Sequence, residues 1–171
     1  MNGIVVNATG VISITQERLN KLLADSINGD TTVSCQCEDE NCLRLTIVTK
    51  TQGVIQLKFG VIEVKHDPYN TTIKLKLMER RLEGNPLKAV LFACAPDSAL
   101  NFLLKLFALP PTIMVKNSGD VYTVELHEWL LKSPLAEKAV LGERILDCIK
   151  VGGVTVTMGR ICIQGRFDFA G

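Results

Sequence analysis

The chain has 171 residues, of which 47% are hydrophobic and 22% charged, and a formal net charge of +1. That length fits a single domain, 1–171, able to bury a core without disulfides or metal, and the composition excludes a disordered chain. The near-neutral charge lacks the basic footprint of a nucleic-acid binder. Aromatic residues make up only 5%, so Leu, Ile and Val must build the core.

The first residues, Met1 to Asn7, carry neither a basic stretch nor a continuous apolar run, and neither end shows a lipidation box. The expected location is therefore cytoplasmic. Ser13 with Gln16 matches a capping box, and Thr15 is a rival cap. Leu19, Leu22, Leu23 and Ile27 follow at helical spacing, up to Asn28-Gly29-Asp30.

Beyond Gly29 the period becomes two. Strands are expected over 31–37, Leu43 to Ile47 and Ile55 to Phe59. At Gly60 the apolar parity changes to Ile62 and Val64, which predicts a β-bulge. After the turn at 66–70, Ile73, Leu75 and Leu77 alternate with Lys74 and Lys76. These runs predict an antiparallel meander with one buried and one wet face.

Pro86 opens a short helix to Cys94, and Pro96-Asp97-Ser98 opens a second, to about Leu109. A hairpin is expected around Asn117-Ser118-Gly119-Asp120, then a short helix from Glu128 to Lys132 with Trp129 and Leu130 as anchors. Strands over 145–151, 154–158 and 161–169 close the chain, with turns at Gly152-Gly153 and Gly159-Arg160.

The helix from Asp97 to Leu109 is apolar almost all round, broken only by Asn101 and Lys105. One sheet beneath it covers one face, so something must cover the rest. Three readings stand open: its own curved sheet, a groove for an apolar ligand, or another protein chain. Neither half of Leu87 to Leu109 approaches the roughly 20 residues a membrane span needs. In a groove, the contact residues would be Leu23, Phe102, Leu103, Phe107 and Trp129.

Catalytic chemistry is thin, and no cofactor is implied. No nucleophile elbow, zinc-protease pair, phosphate loop or dinucleotide fingerprint occurs. Asp97 and Ser98 suit helix capping. Glu79, Glu83 and Glu128 could pair as acid and base, but nothing in the sequence marks them. Cys35-x-Cys37-x4-Cys42 offers three thiols, with His66 or an acid as a fourth ligand, yet no second Cys-x2-Cys unit completes a zinc site. Cys35 and Cys37 would share one strand face as core residues do, and no metal is expected. Lys74, Lys76, Arg80 and Arg81 form a basic edge, either a solvated edge strand or a peripheral membrane contact.

The order of elements resembles the tubular lipid-binding superfamily, the fold of the bactericidal/permeability-increasing proteins, and most of all its small bacterial single-domain members. The resemblance rests on the helix Ile14-Thr15-Gln16-Glu17-Arg18-Leu19-Asn20-Lys21-Leu22-Leu23 and on the long strands from Leu43 to Leu77. It continues through the apolar helical middle and the hairpin Thr112 to Leu126 that runs into Glu128-Trp129-Leu130-Leu131. It implies an α+β fold, a curved antiparallel sheet wrapped around two or three helices, with a groove for lipid acyl chains and no catalytic residues. The expected function is thus a non-catalytic domain holding a lipid or other apolar ligand. The alternative is a homo-oligomer that buries the apolar helix face between chains.

Overall fold

A computed structural model describes residues 4–6, 10–26, 30–50, 53–96, 112–132, 136–137, 139–140 and 142–167. Twelve strands and four short helices are assigned among them. The strands are β1 (Ile4–Val6), β2 (Val11–Thr15), β3 (Thr31–Glu38), β4 (Cys42–Thr49), β5 (Gly53–Asp67), β6 (Asn70–Glu83), β7 (Met114–Ser118), β8 (Val121–Glu125), β9 (Ala139–Val140), β10 (Glu143–Arg144), β11 (Ile149–Thr157) and β12 (Arg160–Phe167). The helices are α1 (Gln16–Ser26), α2 (Pro86–Cys94), α3 (His127–Leu131) and α4 (Ile145–Cys148).

One antiparallel sheet runs β3-β4-β5-β6-β8-β7, and a second runs β1-β2-β12-β11. This corrects the expected α+β class. The described chain is mostly β, and its helices lie on or beside the sheets and are not wrapped by them. The physical reason is length. The longest helix among the described residues has 11 residues, about 16 Å at 1.5 Å per residue. β5 and β6 have 15 and 14 residues, well over 40 Å at about 3.3 Å each. The expected second apolar helix, Asp97 to Leu109, lies outside the described residues.

The predicted meander forms as β3 to β6. Ile47, Ile55, Leu57, Phe59 and Leu82 make the buried face with Tyr122 of β8 and Phe92 of α2. Phe59 and Tyr122 meet edge to face, with ring centroids 5.7 Å apart. The parity change is real but falls at Ile62, not at Gly60. Val61 pairs with Leu75 and Glu63 with Lys74, which leaves Ile62 as the extra residue. β6 carries a second bulge: Lys58 pairs with Glu79 and Phe59 with Leu77, so Met78 is extra. The Met78 side chain lies across Gly60, where a Cβ would stand 3.2 Å from its sulfur.

Two other expectations change. Residues 145–148 coil into α4 before β11 begins, and Gly152 is a bulge inside β11, not a turn. At the first helix the rival cap prevails: Ser13 belongs to β2, and Thr15 Oγ1 accepts from Arg18 N at 3.4 Å.

The β3–β4 turn joins the sheets. Glu40 and Asn41 adopt left-handed φ of 61° and 59°, a region that Asn tolerates well. The turn lies between β5 and β11. Asn41 N donates to Val156 O at 3.3 Å, Val156 N to Asn41 Oδ1 at 2.8 Å, and Val61 N to Asn41 O at 2.8 Å. One residue thus bonds to both strands, as a short strand between them would. His66 adds a tie. Its Nε2 donates to Leu146 O at 2.8 Å, and its Nδ1 lies 2.6 Å from Thr71 Oγ1.

Candidate functional site

Helix α2 begins where Asn85 Oδ1 accepts from Leu87 N at 2.9 Å and Lys88 N at 3.3 Å, with Pro86 at the first helical position. It ends on Arg80 of β6, whose guanidinium donates to Ala93 O at 2.9 Å and to Ala95 O. A cation among the last carbonyls suits the negative end of the helix. So α2 is capped at both ends and lies on β6.

Its two long faces are both apolar. At 100° per residue, Ala89 and Phe92 point to the sheet, and Phe92 is buried in the core cluster. Leu87, Val90, Leu91 and Cys94 make the opposite stripe. Leu87 is 71% exposed, Val90 62% and Leu91 63%. A helix packed on one sheet normally turns charge to water there. Only Lys88 supplies any, and it stands on the flank.

The expected groove residues fall as follows. Leu23 is half-buried in α1, which packs on β3 and β2; Trp129 is half-buried in α3, which packs on β6. β3 and β6 are three strand spacings apart, roughly 14 Å. Phe102, Leu103 and Phe107 lie outside the described residues, as do Asp97 and Ser98.

The three neighbouring cysteines divide between two faces. Cys35 and Cys37 sit on the apolar face of β3, level with Leu45 and Leu43 of β4. The neighbouring Cys37 thiol and then burial push Cys35 far above its ordinary range, and the Cys35 thiol lowers Cys37. Cys42 pairs with Glu38 across the turn and so stands on the polar face, its sulfur 3.7 Å from Met78 Sδ. Among the described residues no group of three His, Cys, Asp or Glu side chains could hold a metal.

The polar face is a lattice of ion pairs. Gln36, Arg44, Lys58 and Glu79 stand in one row across β3 to β6. Glu38 meets Arg44 at 2.6 Å and Lys58 at 3.0 Å, and Arg44 meets Glu79 at 3.7 Å. Glu83 instead accepts from Gln56 at 3.1 Å, and Glu128 lies on α3. Arg44 and Lys58 hold Glu38 below the ordinary glutamate range, as Lys74 and Lys65 hold Glu63. Catalytic carboxylic acids are commonly raised by burial; both of these are lowered by cations, as in a solvated salt-bridge network.

The basic edge disperses in the same way. Lys74 pairs with Glu63 at 3.0 Å, Lys76 with Asp120 at 3.6 Å, and Arg80 caps α2. None of the helices among the described residues is long and apolar enough to cross a membrane.

Sequence reasoning missed the two-faced character of α2, although positions 87, 90, 91 and 94 spell it out. It also missed the amides of Gln16, Asn20 and Asn41, which bond to strand backbones. No family model, curated protein or solved structure matches the chain.

Proposed function

We propose that this chain is a non-catalytic interaction domain that self-associates through the outward stripe of α2. The observation that carries this reading is the exposure of Leu87, Val90 and Leu91 on a helix whose other face is already buried. Contiguous apolar surface of this kind marks interaction sites. The stripe suits a two-fold contact. Its four positions are symmetric about the midpoint between 90 and 91, so two antiparallel copies would oppose Leu87 with Cys94 and Val90 with Leu91. No charge lies on the stripe to oppose that approach.

Light scattering across a wide concentration range tests it, with Leu87→Glu/Leu91→Glu as the control. A mass that rises with concentration in the wild type and stays monomeric in the variant supports the reading. A wild type that remains monomeric throughout overturns it.

A second reading, a lipid or other apolar ligand, has its own support. Val33, Leu45, Leu75, Leu77 and Val115 pack against the core cluster yet stay only partly buried. An acyl chain lying on this sheet face would cover them. Native mass spectrometry and titration with a fluorescent fatty acid decide it: no co-purifying lipid and no saturable binding would remove the idea.

A further inference from the structure

β3 is the outermost strand of the six-stranded sheet. Neither Lys nor Pro, residues that usually blunt an edge, occurs between Thr31 and Glu38. Three of its outward backbone groups are nonetheless satisfied. Cys35 N donates to Asn20 Oδ1 at 2.6 Å and Cys37 N to Gln16 Oε1 at 2.8 Å, while Cys37 O accepts from Gly159 N at 3.1 Å. The spacing explains how a helix can do this. Residues four apart on a helix rise about 6 Å, and residues two apart on a strand advance about 6.7 Å. Two amides on one face of α1 therefore match two successive outward N–H groups of β3.

We infer that Gln16 and Asn20 form an edge lock: they occupy the places of a neighbouring strand's carbonyls and keep shut a strand-docking edge whose fitting partner is β3 of a second copy. β3 is complementary to itself. Antiparallel pairing about Cys35 sets Val33 opposite Cys37 of the second copy, Ser34 opposite Gln36, and Thr32 opposite Glu38. Apolar side chains then share one face, polar ones the other, and no like charges oppose. This pairing is independent of the α2 stripe.

The test compares the wild type with Gln16→Ala/Asn20→Ala and with Gln16→Glu/Asn20→Asp, which keeps acceptor oxygens. Amide hydrogen exchange and light scattering are the readouts. In the alanine pair, exchange at Cys35 and Cys37 should quicken about tenfold while Leu57 and Phe59 in β5 keep their rates. Its mass should rise above that of the wild type with concentration. The acidic pair should behave as wild type. Adding Ser34→Lys/Gln36→Lys to the alanine pair would place lysines face to face across the two-fold and should abolish the extra association. Association through α2 would survive those lysines. Unchanged exchange and mass overturn the inference, as does equal acceleration in β5, which would mean that the amides hold the whole fold. Extra association that persists with the lysines overturns it too.

Discussion

Helices α1 and α2 both lie against the six-stranded sheet, yet they hold to it in opposite ways. α1 meets the edge of β3, and its amides bond to backbone. α2 meets β6 and inserts Phe92 into the core. Turned to water, α2 shows the stripe of Leu87, Val90 and Leu91, whereas α1 exposes Glu17, Lys21, Ala24 and Asp25. The difference teaches that a helix can serve a sheet either by completing its hydrogen bonds or by thickening its core. Only the second kind leaves an unpartnered apolar surface here.

The largest expected effect comes from the core-thickening side. Phe92→Ala should cost about 3–5 kcal/mol in a denaturant titration, through lost transfer energy and the cavity left under α2. The hydrogen-bonding device has its strongest test at Asn41, which uses the same amide chemistry between β5 and β11. Asn41→Gly retains the left-handed turn but leaves the buried Val156 N–H without its acceptor. The same titration should show a loss of about 1–3 kcal/mol. Asn20→Ala, at the rim of the sheet, should lose about 1 kcal/mol; a loss as large as that of Phe92→Ala would erase the contrast between the helices.

Acid should touch the polar face first. Glu38 is held below its ordinary value of 4.5 by Arg44 and then Lys58. Its contribution is thus present above that value and is lost as pH falls through the lower folded value. Thermal melts from pH 6 to pH 3 should show a shallower decline for Glu38→Gln than for wild type. The smallest effect is expected at the stripe of α2. At a concentration low enough to keep the chain monomeric, Leu91→Gln should change stability by no more than about 0.5 kcal/mol, and a larger loss there would mean that Leu91 is covered within its own chain.

Much of the meander was legible because alternation along β3 to β6 reports burial directly. The start of α2 was legible too, since Pro86 suits a first helical position. The second bulge was not. Met78, Glu79, Arg80 and Arg81 break the alternation with residues whose roles are set by distant partners: Met78 by Gly60, Arg80 by the end of α2. The expected wrapping of sheet around helices failed for a related reason. Periodicity along Gln16 to Ser26 says that a helix has an apolar side, but not that Gln16 and Asn20 will meet an edge. Of the expected site, Leu23 and Trp129 are placed on separate elements, and the sequence held no mark of their distance. The stripe at Leu87, Val90 and Leu91 was visible as spacing, but its exposure depends on which face β6 takes.

The paired bulges in the long hairpin also bear on how this protein tolerates changes of length. Ile62 is one residue too many on β5 and Met78 one too many on β6, so the ladder slips at the first and recovers at the second. Because each bulged residue lacks a cross-strand partner, deleting either alone would straighten its strand locally and leave every other pair of the hairpin in register. Deleting both would return a straight, fully paired ladder with all other partners preserved. Ile62 and Met78 are therefore positions at which this hairpin can lose a residue without a matching gap in the facing strand.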